Sequence, residues 1–201
     1  MIAVVGGLTK FDTKAALAST DEGDHLVAVV YLYVHPDFED LDELINNVKA
    51  EKQPFVQYWG VQAIGKILAL QDHVPSISQR KALLQLLDAV DSPYDRSRYY
   101  ALKEIIRPFV PTVHIETESG TVTSDAKTAF QALAKSGYVT PDYDYPIDFP
   151  GGKTNAIYYN ALDQQASQEV TQILSSAGLG SLQRVPDARL SRGEMYVYLP
   201  D

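Results

Sequence analysis

Cysteine is absent from the 201 residues of this chain, and basic residues are few. Without cysteine, the chain has no disulfide, no thiolate nucleophile and no cysteine metal site. Lys and Arg number 17 against 26 Asp and Glu, which gives a net charge of −9. Phosphate backbones are bound by concentrated positive charge, so we expect no nucleic-acid partner.

Long hydrophobic runs are also lacking. The apolar start from Met1 to Leu8 is interrupted by Lys10, Asp12 and Lys14. Such a run is too short to span a membrane, and no basic segment precedes it as in a secretory signal. We therefore expect no membrane span and a cytoplasmic location.

The overall composition is that of a folded chain, with 45% hydrophobic and 21% charged residues. Proline and glycine are sparse up to residue 110 and dense over 137–154, which separates a helical front from a mixed back. The sequence thus predicts an α+β fold. Its domains are a helical-repeat domain at 1–110 and a small α/β domain at 111–201.

Apolar residues recur at helical spacing in three predicted helices of the front, Asp24 to Val34, Pro54 to Leu70 and Asp95 to Arg107. Each contains an alanine followed by an aliphatic residue, at intervals of 35 and 38 residues: Ala28-Val29, Ala63-Ile64 and Ala101-Leu102. The helices between them also correspond, because the pattern Leu44-Ile45 with Val48 returns as Leu83-Leu84 with Leu87. A period of about forty residues predicts helix pairs that stack to bury a shared apolar seam. An ordinary helical bundle is the alternative.

This pattern resembles the HEAT-like α-helical repeats over about residues 8 to 107. Arg98 matches a basic residue that the family carries three positions before the alanine, and Asp91 matches a turn aspartate. His25 and Gly60 depart from the basic position in the other two repeats. The resemblance implies a short α-solenoid whose concave face binds a protein or peptide.

The back half alternates strand and helix patterns: a strand at Val113 to Thr117, a helix at Asp125 to Ser136, a strand at Ala156 to Asn160, a helical stripe from Ala166 to Ala177 and a closing strand at Met195 to Leu199. Two strand-helix units and a last strand predict one small sheet with helices on a face. Residues Ile157 to Leu179, with Asn160 after the strand, resemble the C-terminal domain of LytR-type cell-envelope proteins. Ala161-Leu162 depart from the small, glycine-containing residues that this family has there.

Known catalytic and cofactor patterns fail on spacing. Gly152-Lys153-Thr154 lacks the upstream glycine of a phosphate-binding loop and precedes a predicted strand, so we interpret it as a turn. The four histidines never occur at i, i+4, and no serine sits in a G-x-S-x-G turn. The acids between Asp37 and Glu43 are typical of a helix start. We assign no catalytic residue, metal site or cofactor.

Candidate binding residues cluster in two of the repeat helices, at Tyr58 and Trp59 and at Arg96, Arg98, Tyr100, Lys103 and Arg107. A tryptophan at a helix start is either an interface anchor or core. Arg96, Lys103 and Arg107 recur at helical spacing, which predicts a stripe that would bind an acidic peptide or a phosphate backbone. In the alternative interpretation, Arg98 ties its turn to Asp91 or Asp95.

We predict a non-enzymatic interaction or scaffold module that binds a protein or peptide on its repeat face. One alternative is a hydrolase or transferase with a pocket at the domain junction, built from dispersed groups: Asp163, Glu194, His114 and Arg192. The other is a sensor or regulatory domain of a larger assembly, suggested by the small size and abrupt start of the chain.

Overall fold

A computed structural model describes residues 11–70, 75–118, 120–141 and 155–200. The chain divides into two compact units, Met1–Ile106 and Arg107–Asp201. The first is helical and the second contains a four-stranded sheet with helices. This confirms the predicted α+β class. The turn predicted at residues 152–154 lies outside the described residues.

Six α-helices follow one another in the described part of the first unit: α1 Thr13–Leu17, α2 Glu22–Val34, α3 Leu41–Ala50, α4 Pro54–Leu68, α5 Ile77–Val90 and α6 Ser97–Ile106. Side chains set several of the starts. Asp21 accepts the N–H of Gly23 before α2, and Ser76 and Gln79 form a reciprocal capping box before α5. Pro54 occupies the first turn of α4, where no N–H is needed.

The six helices form three pairs, α1 with α2, α3 with α4 and α5 with α6, in which the two partners pack against each other. Helices α2, α4 and α6 also pack side by side in one layer, and α1, α3 and α5 follow one another in a second layer. Each pair has an apolar side that the next pair covers, as expected for a helical repeat. The stacking therefore buries an apolar seam to which all three pairs contribute.

The repeated positions of the sequence lie in this seam. Ala28 and Ala63 are completely buried, while Ala101 is half-buried. Small residues also let the helices approach closely. A Cβ on Gly60 of α4 would lie 2.2 Å from Val48 Cγ2 of α3, so only glycine fits at this contact.

The described residues of the second unit form four strands, β1 Thr112–Thr117, β2 Ala156–Tyr159, β3 Gln183–Pro186 and β4 Glu194–Leu199, and two α-helices, α7 Ser124–Lys135 and α8 Gln164–Ser176. The strand order is β1-β4-β2-β3. Pairing is parallel between β1 and β4 and between β2 and β3, and antiparallel between β2 and β4. Strand β3 was not predicted from the sequence.

Helices α7 and α8 end in the same way. Gly137 and Gly178 have positive φ of 79° and 93°, and each is followed by a buried residue, Tyr138 or Leu179. The N–H groups of Tyr138 and Leu179 donate to the carbonyl oxygens five residues earlier, those of Leu133 and Leu174, which is the Schellman arrangement. Both buried side chains belong to the core between helices and sheet. Two similar strand-helix halves therefore build this unit.

Candidate binding face

The exposed side of α4 carries most of its large polar and aromatic side chains. Phe55, Tyr58, Gln62 and Lys66 recur every three or four positions and are exposed or half-exposed, whereas the opposite side of the helix is buried. Phe55 is 61% exposed and Tyr58 is 40% exposed. Exposed aromatic rings that lie side by side on a helix mark a candidate contact surface.

Trp59 is at the centre of this aromatic group. Its ring centroid lies 5.4 Å from that of Tyr33 on α2, 6.4 Å from Phe55 and 6.2 Å from Tyr58, with interplanar angles of 84°, 75° and 81°. Edge-to-face contacts of this kind are favourable and hold the rings in place. Tyr33, Phe55, Tyr58 and Trp59 form what we call the aromatic face.

Lys66 borders the aromatic face one helical turn beyond Gln62. Its Nζ lies 5.1 Å from the centroid of the Tyr33 ring, within the range of a cation–π contact. Sequence analysis missed Tyr33, Phe55 and Lys66. The spacing of Phe55, Tyr58 and Lys66 along one helix was a signal that could have found two of them.

Arg96 and Tyr100 form a separate group at the start of α6. Arg96 binds Asp91 through two hydrogen bonds, Nε to Oδ1 at 2.8 Å and Nη2 to Oδ2 at 2.9 Å. The Arg96 guanidinium also lies over the rings of Tyr99 and Tyr100, at 4.7 and 5.4 Å from their centroids. Tyr100 is 55% exposed. This cation is therefore already paired with a carboxylate.

The other predicted cations have different surroundings. Arg98 is buried, and its Nη1 donates to Asp95 Oδ2 at 3.1 Å, which is the turn contact of the alternative interpretation. Lys103 is exposed on α6. Arg107 follows the end of α6 and donates to Glu194 Oε1 at 2.8 Å within the second unit.

All four groups considered for catalysis belong to the second unit, and three of them lie at the turn before β4. The Asp163 carboxylate is buried and accepts the N–H of Gly193 at 2.6 Å, and burial raises the pKa of Asp163. Arg192 Nε lies 3.8 Å from Asp163 Oδ1, and Glu194 accepts from Arg107. The His114 ring stacks on Tyr196 at 4.4 Å. Each of the four groups therefore has a contact within the second unit.

A histidine contact that sequence analysis did not predict joins the first two helix pairs. His25 Nδ1 lies 3.0 Å from Glu51 Oε2, and Nε2 lies 2.7 Å from the carbonyl oxygen of Ser19. Both ring nitrogens face acceptors, so the protonated imidazole satisfies both contacts. Burial lowers the pKa of His25, but the hydrogen bonds with Glu51 and Ser19 outweigh it and raise the pKa overall.

Over residues 11–70, 75–118, 120–141 and 155–200, no group of three His, Asp or Glu side chains is placed to hold a metal ion. Nor is any helix in these ranges long and apolar enough to cross a membrane. Comparisons with family models, with curated proteins and with solved structures find no match to this chain.

Proposed function

We propose that this chain is a non-enzymatic interaction module of the HEAT-like type, which binds a protein or peptide on the aromatic face. The observation that carries the proposal is the pair of exposed rings, Phe55 and Tyr58, held around the half-buried Trp59. The two-layer stacking of three helix pairs supports the repeat architecture. The same face would serve a regulatory domain of a larger assembly.

The exposed rings offer enough surface for a useful contact. Aromatic side chains bury 150–250 Å² each, so covering the exposed parts of Phe55 and Tyr58 removes on the order of 100 and 80 Å² from water. At about 25 cal/mol per Å², this contributes roughly 4 kcal/mol before the entropy of association is subtracted. Because Trp59 already holds both rings, little further ordering is needed on binding.

A hydrolase or transferase built on Asp163, Glu194, His114 and Arg192 is less well supported. Asp163 and Glu194 already accept hydrogen bonds from Gly193 and Arg107, as a structural role requires. We therefore do not propose a reaction.

Site-specific photocrosslinking tests the proposal. A photoreactive phenylalanine analogue replaces Tyr58 in one preparation and Tyr94 in another, and each is irradiated in extract of the source cells. Tyr94 is 98% exposed and lies between α5 and α6, which makes it a matched control. We expect a discrete adduct from position 58 that is lost with Phe55→Ala, and none from position 94. Equal labelling from both positions, or none from position 58, would contradict the proposal.

A further inference from the structure

The charge of the aromatic face differs from that of the chain as a whole. The chain carries 26 acidic residues, yet α4 has none, and its single charged residue is Lys66. Helix α2 has no acidic residue after Asp24, so the two helices that build the aromatic face present no carboxylate over 25–34 or 54–68. The two segments thus contribute Lys66 and no carboxylate to the aromatic face, and Glu22 accepts a hydrogen bond from Gln53 just before α4.

Lys66 is exposed, and within the described part of the chain it makes no ion pair. Its ammonium group lies over the Tyr33 ring instead. Arg96, by comparison, is bound to Asp91 through two hydrogen bonds. Lys66 is therefore a cation at the border of an apolar surface, and no described carboxylate forms an ion pair with it.

We infer that the aromatic face binds a peptide segment that places an apolar anchor side chain on Phe55 and Tyr58 and a carboxylate against Lys66. This inference rests on the proposed function and names the chemistry of its partner. Charge complementarity favours an acidic segment over a basic one, because like charges placed together oppose binding.

The spacing of the two partner groups follows from the helix. Lys66 lies eight positions after Tyr58, and at 1.5 Å rise per residue this is about 12 Å along the axis. An extended peptide advances about 3.3 Å per residue, so the acid would lie three or four positions from the anchor. In a bound helix the separation would be about eight positions. An exposed pair of this kind should change affinity by roughly 1.4- to fivefold.

Selection from a random twelve-residue peptide library displayed on phage tests the inference. With the full chain as bait, we expect the selected peptides to share an apolar residue and an Asp or Glu at one of these spacings. With Lys66→Glu as bait, Lys or Arg should replace the acid. Tyr94→Ala should select the same peptides as wild type, and Phe55→Ala with Tyr58→Ala should select none of them.

The outcomes separate this inference from the proposed function. Failure of the wild-type chain to enrich any peptide would overturn both. Enrichment of apolar peptides without an acid, or an acid preference that Lys66→Glu leaves intact, would overturn only the acidic partner. Affinity of a selected peptide that lacks tryptophan is then measured by the fluorescence of Trp59, the only tryptophan in the chain. We expect roughly 1.4- to fivefold weaker binding for Lys66→Gln, and an unchanged affinity would contradict the inference.

Discussion

Replacement of Gly60 by alanine should destabilise the helical unit through a single contact between α3 and α4. The added Cβ would lie 2.2 Å from Val48 Cγ2, where ordinary contacts are 3.4–4 Å. Val48 is buried and β-branched, and such a side chain strongly prefers one χ1 rotamer in a helix. It therefore cannot turn away, and the two helices have to move apart.

The expected size of the effect combines two terms. Overpacking a well-packed core costs roughly 1–3 kcal/mol, and the severe overlap at Gly60 places the substitution at the upper end. Alanine in a helix interior is more favourable than glycine by about 1 kcal/mol. The net destabilisation is therefore about 2 kcal/mol, which for a chain of this length lowers Tm by roughly 4–8 °C.

Gly65→Ala on the same helix provides the control. Its Cβ would lie 3.0 Å from Ile105 Cδ1, the tip of a half-buried and flexible side chain that can give way. We expect little change in stability there, because the gain in helix propensity offsets a mild contact. Thermal unfolding followed by circular dichroism and calorimetry compares the two variants.

A double-mutant cycle with Val48→Ala identifies the contact. In the Val48→Ala background the clashing Cγ2 is gone, so Gly60→Ala should become neutral or slightly stabilising. Equal stability of Gly60→Ala and Gly65→Ala would refute the close approach of α3 and α4. So would a Gly60→Ala effect of the same size in both backgrounds.

Three further predictions concern the polar contacts and the glycines. Because the pKa of His25 is raised in the folded state, its bond to Glu51 stabilises the fold fully below pH 6.5 and loses this contribution as the pH rises through the folded pKa. The free energy of unfolding in urea, measured at pH 5.5 and 8, should therefore differ between wild type and His25→Gln by an amount that depends on pH. A constant difference would contradict the charged pair. Gly193→Ala should destabilise the fold by more than about 2 kcal/mol, because φ is +78° and the added Cβ would lie 2.5 Å from a backbone oxygen. Gly178→Ala, where φ is +93° and the space around the Cβ is open, should destabilise it by about 1 kcal/mol. Equal melting temperatures of the two variants would contradict this ranking. Asp163→Ala should cost roughly 1–3 kcal/mol by leaving the Gly193 N–H unpaired, and Asp163→Asn less, because an amide oxygen still accepts; equal denaturation midpoints for the two variants would argue against this hydrogen bond.

The described α-helices other than the short α1, and three of the four described strands, could be predicted because their residues carry the pattern themselves. Apolar spacing and terminal residues such as Pro54 and Gly137 depend only on neighbours in the sequence. Strand β3 lacks this signal: Gln183–Pro186 is largely exposed, and it becomes a strand by pairing with the main chain of β2. Local sequence does not encode a partner of that kind.

The candidate site was predictable only in part for a related reason. Tyr58 and Trp59 stand out by residue type, but the Tyr33 ring joins them only because α2 and α4 lie side by side. Arg96 and Arg98 show the limit set by helix boundaries. Since α6 starts at Ser97, Arg96 stays outside the helix on Asp91, whereas Arg98 turns into the core. If the predicted start of a helix is wrong by one or two residues, an exposed cation is taken for a buried one, or the reverse.

The affinity of the captured partner for Phe55→Ala with Tyr58→Ala, measured by isothermal titration calorimetry beside Tyr94→Ala, tests the assignment of the binding surface most directly. We predict that removing the two rings weakens binding at least tenfold, which corresponds to about 1.4 kcal/mol or more, while Tyr94→Ala binds as wild type does. Equal affinities for a folded double variant and the wild-type chain would show that the partner binds elsewhere.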